Sequence, residues 1–149
     1  MSRAWEYLVI AVGGGLGAAA RYGVAQLFPV QRGTFPLATF ATNMIGCFLI
    51  GVLMVVISDI WVAHRLLRPF LGVGVLGGFT TFSTYVVEVR DLLRPGTFPL
   101  AAAYAVATVA AGLFAVVAAV RCTRALLSLR RTRFRSRPDA ARARSAPRR

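Results

Sequence analysis

The chain has 149 residues, of which 57% are hydrophobic and only 15% are charged. Water-soluble domains carry roughly 25% charged residues, so this composition argues against an ordinary soluble enzyme. The net charge of +13 comes from 18 basic and 5 acidic residues, and every basic residue is arginine. Residues 122–149 contain ten of the arginines and one aspartate, so a hydrophobic body precedes a strongly basic tail.

Uncharged stretches predict four transmembrane helices. A helix needs about 20 mainly apolar residues to cross a bilayer. Three uncharged stretches of 26, 19 and 26 residues are bounded by Arg32 and Asp59, by Arg68 and Glu88, and by Arg94 and Arg121. The first candidate span is interrupted by Arg21, and taken alone it also resembles a signal peptide. We predict an all-α membrane domain over residues 1–121, with spans at about 4–27, 35–58, 69–91 and 97–121.

An internal repeat favours a first span that is retained in the mature protein. The hexapeptide Gly33–Ala38 recurs unchanged as Gly96–Ala101, 63 residues later, and at the same offset Gly14-Gly15 aligns with Gly77-Gly78. The repeat predicts two helical hairpins in which the first span matches the third. Its proline suits the first turn of the second helix of each hairpin, where a missing N–H loses no helical bond.

The tail, residues 122–149, has too few apolar residues to bury a core. We expect a helical continuation to about Leu129 and then a largely disordered, cytoplasmic segment near anionic lipid. No motif supports specific nucleic-acid binding.

Polar groups inside the spans are candidate functional groups, because they are costly in hydrocarbon. Asn43 could either join helices or contact a permeant ion. The third span contains Gly77-Gly78 followed by hydroxyl residues, which favours a helix broken in the Gly77–Thr81 region over an intact, tightly packed one. A break would free carbonyl groups that suit a small cation such as sodium. Arg21 could line an aqueous vestibule or extend to the membrane surface.

The spans lack the groups that other functions need. The sequence has no Ser/His/Asp set, metal-ligand cluster or phosphate loop, so we predict that the chain is not an enzyme. A small multidrug-type transporter also has four spans, but the carboxylate that it uses in mid-membrane is missing here. A structural membrane subunit whose tail recruits a partner is the other alternative.

The motifs resemble those of the CrcB (Fluc) fluoride channels over roughly residues 5–121. The resemblance is carried by Gly13–Tyr22, by the turn at Gly33-Thr34, by Asn43 followed by Gly46, and above all by Gly77–Thr84. It implies a passive fluoride channel in the bacterial cell membrane that relieves fluoride toxicity. It also implies an antiparallel, dual-topology dimer with one structural sodium ion that is not transported.

The resemblance also assigns residues. The sodium ion would be held by the backbone carbonyls of Gly77 and Thr80. Tyr85 stands where the family usually has the second phenylalanine of an aromatic pair, and Gly112 replaces a hydroxyl in the polar track of the fourth helix. The fluoride pathway would contain Asn43, Phe82, Tyr85, Ser83, Thr84, Arg21, Tyr104 and Thr108, although core packing is the ordinary explanation of the last two.

Opposite orientations within a dimer require a weak topological bias. With Arg21 left aside as embedded and Arg121 counted with the tail, three arginines lie on each side of the predicted membrane domain: Arg3, Arg65 and Arg68 against Arg32, Arg90 and Arg94. The tail adds its charge to the first side and should bias both termini towards the cytoplasm. The second subunit would therefore be either another copy or a related chain with the opposite bias.

Overall fold

The described part of the chain is helical. The computed structural model describes residues 3–59 and 65–144, with side chains for 3–58 and 65–129, and the last five residues of the predicted tail lie outside these ranges. The elements are α1 (Arg3–Leu27), α2 (Leu37–Asp59), a π-helix (Pro69–Leu76), α3 (Gly77–Phe79), α4 (Phe82–Leu92) and α5 (Phe98–Arg144).

Four helical stretches are long and apolar enough to cross a bilayer, which confirms the predicted number of spans. They are Arg3–Leu27, Leu37–Ser58, Pro69–Leu92 and Phe98–Leu129. The third span consists of the π-helix, α3 and α4 in succession. Only 11–22% of the residues in the apolar window of each span are buried, so most apolar side chains lie on the outside. This is the surface that lipid, or a second subunit, covers in a membrane protein.

The fourth helix is longer than the sequence analysis expected. We expected the helix to end near Leu129, whereas α5 continues to Arg144. Arginine and alanine, which both have high helix propensity, make up most of this extension, whereas Pro138 within it disfavours a helix by about 3 kcal/mol. The disorder proposed for the tail in solution stays a prediction.

The two copies of the repeated hexapeptide form the same turn. In each copy the threonine N–H donates to the carbonyl three residues earlier, at 3.2 Å for Thr34 and 3.1 Å for Thr97. The preceding glycine has a positive φ of 78° at Gly33 and 91° at Gly96, a conformation that a β-carbon would strain. The repeat therefore encodes one turn geometry twice, before α2 and before α5.

Glycines allow α1 to lie directly against the third span. A β-carbon on Gly17 would collide with the Val75 carbonyl, and one on Gly78 would collide with the Gly14 carbonyl. Small residues of this kind let the backbones of membrane helices approach closely. The end of α1 is therefore held in a fixed position beside α3, where the candidate site begins.

Candidate ion pathway

The backbone is extended at two residues of the third span. Thr80 has φ −79° and ψ 158°, and Thr81 has φ −147° and ψ 124°, between α3 and α4. The Thr80 N–H still bonds to the Leu76 carbonyl at 3.0 Å. Thr81 then caps α4, because its Oγ1 accepts from the Thr84 N–H at 3.2 Å. Threonine is a favoured capping residue, and the sequence thus supplies a new helix start inside the span.

Asn43 of α2 binds the backbone of this extended segment with both ends of its amide. Asn43 Nδ2 donates to the Thr81 carbonyl at 3.0 Å, and the Thr81 N–H donates to Asn43 Oδ1 at 2.9 Å. The side-chain amide has two N–H groups, and one of them remains for another acceptor. The structure therefore gives Asn43 the helix-joining role, while its contact with an ion stays a prediction.

Several carbonyl groups lose their helical partners at this point, Gly77 and Thr80 among them. In a continuous α-helix the carbonyls of Gly77 and Thr80 would accept from the N–H groups of Thr81 and Thr84, four residues later. Those two N–H groups bond instead to the side-chain oxygens of Asn43 and Thr81. Neutral carbonyl oxygens without an internal donor are the hard ligands that small cations prefer.

Gly46 makes room for this arrangement. It lies one helical turn after Asn43, and a β-carbon on Gly46 would collide with Thr80 Cγ2. In the sequence, Asn43 followed by Gly46 carried part of the family resemblance but had no physical explanation. The structure supplies the reason: Asn43 binds the backbone of Thr81, and Gly46 leaves room for the side chain of Thr80.

Arg21 also reaches the third span. Its Nε donates to the Gly78 carbonyl at 3.3 Å, in a partly buried setting. The sequence left open an aqueous vestibule and the membrane surface as positions of Arg21, and the choice between them stays a prediction. In either position, this bond ties the guanidinium to the backbone of α3.

The aromatic pair Phe82 and Tyr85 occupies the first turn of α4. The ring centroids are 5.7 Å apart, and Phe82 is 76% exposed while Tyr85 is half-buried. Tyr85 Oη donates to the Ala105 carbonyl of α5 at 3.0 Å. Because its hydroxyl proton is already used, the part of Tyr85 that remains for an ion is the ring.

The hydroxyl groups of α4 form a small cluster at the start of the helix. Thr81 Oγ1 donates to Thr84 Oγ1 at 3.0 Å and lies 3.3 Å from Ser83 Oγ. On α5, Thr108 is 7% exposed, and its Oγ1 has no hydrogen-bond partner among the described residues. An unpaired buried hydroxyl is costly, which makes Thr108 a candidate contact for a polar occupant.

Tyr104 belongs to a network that the sequence analysis missed. It is fully buried, and its Oη donates to Glu88 Oε2 at 2.7 Å. Thr39 Oγ1 donates to the other carboxylate oxygen, Glu88 Oε1, also at 2.7 Å. The available signal was a carboxylate inside the predicted third span, where Glu88 served only as the boundary of an uncharged stretch.

Part of the predicted pathway lines one groove. It has a volume of about 460 Å³ and is mostly apolar, and its polar lining includes Asn43, Thr80, Thr81, Tyr85 and Thr108. Gly77 and Phe82 also line it. The other four predicted residues do not line it: Arg21, Ser83, Thr84 and Tyr104.

These features define a multi-pass helical membrane protein with a few hydrogen-bonding groups in an apolar groove. The family model described as "CrcB-like protein, Camphor Resistance (CrcB)" matches residues 8–120. The chain belongs to this family, which confirms the resemblance inferred from its motifs. The basic tail lies beyond the matched region.

Several bacterial relatives carry the name fluoride-specific ion channel. The chain is 58% identical to FluC 2 of Streptomyces avermitilis over 100 residues. These matched residues make up 67% of this chain and 63% of that protein. It is 52% identical over 124 residues to FluC 1 of Streptomyces coelicolor, covering 83% and 80%. It is 56% identical over 110 residues to FluC 2 of Nocardia farcinica, covering 74% and 79%. Membership of a channel family confirms the prediction that the chain is not an enzyme.

Proposed function

We propose that this chain is a passive fluoride channel that lowers cytoplasmic fluoride and so relieves its toxicity. The observation that carries the proposal is the groove beside Thr80 and Thr81, which has donors and ring edges but no mid-span carboxylate among its lining residues. The relatives named as fluoride-specific channels support the choice of fluoride. Because these relatives are bacterial and the chain has four helices that can cross a membrane, the protein resides in the cell membrane of a bacterium.

The pathway has to replace the water around a small anion. An isolated ion in a low-dielectric medium costs on the order of tens of kcal/mol, so compensating groups are required. The remaining N–H of Asn43 and the hydroxyl of Thr108 can donate to an anion. The edges of the Phe82 and Tyr85 rings carry the positive part of the ring quadrupole. Such neutral, weakly binding groups in series allow an ion both to enter and to leave.

A structural sodium ion fits the extended segment. The family resemblance assigns the ion to the Gly77 and Thr80 carbonyls, and both have lost their helical donors to Asn43 and Thr81 side chains. When bound, sodium would supply positive charge that fixes these carbonyls. The interruption at Thr80 and Thr81 would then be a permanent break in the third transmembrane helix.

A second subunit in the opposite orientation would complete the pathway. Phe82 is 76% exposed in the single chain, and a ring that lines an ion pathway needs a facing wall. The second subunit is either another copy or a related chain. A related chain with the opposite bias would be needed if the tail holds this chain in one orientation. Reporter fusions at the C-terminus test the bias, and equal populations on both sides of the membrane would contradict it.

The two alternatives predict different behaviour. A multidrug-type transporter would couple transport to protons, and a structural subunit would depend on its tail to recruit a partner. Deleting residues 125–149 distinguishes a channel from a structural subunit. A channel keeps its ion flux without the tail, whereas a subunit that recruits a partner through the tail loses its function.

Fluoride efflux from proteoliposomes tests the proposal. We expect an ion-selective electrode to record fluoride release, with no chloride release from matched vesicles. The Asn43→Ala variant should lose the flux, and Ile45→Ala, on the exposed side of α2, should keep it. If the wild type releases no fluoride even when it is co-expressed with a related chain, the proposal is wrong.

A further inference from the structure

The structure suggests a role for Arg21 that differs from attracting anions. We propose that Arg21 is a positioning residue that holds the Gly78 carbonyl away from the sodium site and so fixes the backbone that presents the Gly77 and Thr80 carbonyls to the ion. The inference rests on the proposed function, because it concerns the sodium ion of that same channel.

The end of α3 presents more free carbonyl groups than the proposed ion uses. The last carbonyls of any helix lack donors from within the helix. Gly77 and Thr80 have lost theirs to side chains, as described above. Gly78 lies between them in sequence, and its carbonyl accepts a hydrogen bond from Arg21 Nε at 3.3 Å. Arg21 therefore distinguishes one carbonyl from its neighbours.

The position of Arg21 follows from the packing of α1. Gly14, Gly17 and Arg21 are spaced three and four residues apart, so they share one face of the helix. The two glycines bring that face into backbone contact with Gly78 and Val75. The next turn of the same face carries Arg21, which places its side chain beside the end of α3.

The charge of Arg21 makes this bond persistent. A guanidinium does not lose its proton in proteins, and a charged donor forms a stronger hydrogen bond than a neutral one. Its positive charge also repels a nearby cation, so removing the charge alone should not weaken sodium binding. Loss of the donor has the opposite effect, because it releases the Gly78 carbonyl and with it the backbone that holds the Gly77 and Thr80 carbonyls in place. In Arg21→Met, which lacks both donor and charge, this loss of preorganisation outweighs the relief of repulsion.

Two substitutions separate the donor from the charge. In Arg21→Gln, the amide nitrogen stands as many bonds from the backbone as Arg21 Nε does, so the donor is kept and the charge is lost. Arg21→Met has a side chain of similar length with neither donor nor charge. The same two substitutions at Arg68, which is exposed at the start of the third span, serve as controls.

The measurement is the thermal unfolding midpoint of the purified full-length protein as sodium replaces a large organic cation at constant ionic strength. We expect the half-saturating sodium concentration of Arg21→Gln to equal or fall below that of the wild type. We expect Arg21→Met to raise it about tenfold, which corresponds to about 1.4 kcal/mol. Both Arg68 variants should match the wild type.

Three results would overturn the inference. A higher half-saturating sodium concentration in Arg21→Gln would overturn the inference, because the glutamine keeps the donor. This result counts even if Arg21→Met fails to fold. Unshifted sodium curves in both variants, together with a loss of fluoride flux in both, would assign Arg21 to the anion through its charge. A wild type that ignores sodium but releases fluoride would reject the sodium site and this inference while leaving the channel intact.

Discussion

The bond pair between Asn43 and Thr81 leads to the most specific prediction for stability. Asn43→Ala removes two hydrogen bonds at once. These are the bond from Asn43 Nδ2 to the Thr81 carbonyl, at 3.0 Å, and the bond from the Thr81 N–H to Asn43 Oδ1, at 2.9 Å. Both backbone groups of Thr81 then lose their partner, so the substitution should lower stability. It should also weaken the response to sodium, because Asn43 no longer holds the extended segment that presents the proposed carbonyl ligands.

The size of the effect follows from the number of bonds lost. Hydrogen bonds between membrane helices average about 0.6 kcal/mol, and those in water-soluble proteins are worth about 1 kcal/mol. Two bonds give a loss of about 1–2 kcal/mol in the free energy of unfolding, which is roughly a 5- to 30-fold change in the folded-to-unfolded ratio.

Equilibrium unfolding in mixed micelles, followed by circular dichroism, measures this loss. Ile45→Ala is the control, since Ile45 is 47% exposed on the same helix and makes no side-chain hydrogen bond. We expect the control to stay within about 0.5 kcal/mol of the wild type. An Asn43→Ala variant that is as stable as the control and still responds to sodium would refute the reasoning.

Substitutions at Gly46, Tyr85 and Thr39 test three other contacts, mainly in the same unfolding assay. Gly46→Ala should destabilise the protein through its collision with Thr80 Cγ2, and adding Thr80→Ser, which lacks that methyl group, should restore stability. Tyr85→Phe should cost about 1 kcal/mol for the lost bond to α5, whereas Tyr85→Leu, which removes the ring, should also reduce fluoride flux. Thr39→Val should cost about 2 kcal/mol because it removes a donor to the Glu88 carboxylate, and an unchanged midpoint would argue against that network.

The membrane spans could be predicted because they depend on local sequence. A bilayer requires about 20 consecutive apolar residues, and this requirement is visible in the spacing of the arginines. The start of α2 and of α5 was equally accessible, since each follows one copy of the repeated turn around Gly33 or Gly96.

The contacts of the site could not be predicted in the same way, because they join residues that are distant in sequence. Asn43 is 38 residues from Thr81, and Arg21 is 57 residues from Gly78. Periodicity describes one helix at a time, so it left Asn43 and Arg21 with two open roles each. Their partners emerged only once the packing of α1 and α2 against the third span was known.

The reversal potential of the current in a planar bilayer tests the central claim most directly. Under a tenfold fluoride gradient, a passive fluoride channel reverses at about 59 mV, the value for a single charge. We predict this potential at any proton gradient, and no current when chloride replaces fluoride. A reversal potential that moves with the proton gradient, or an equal current in chloride, would contradict the account.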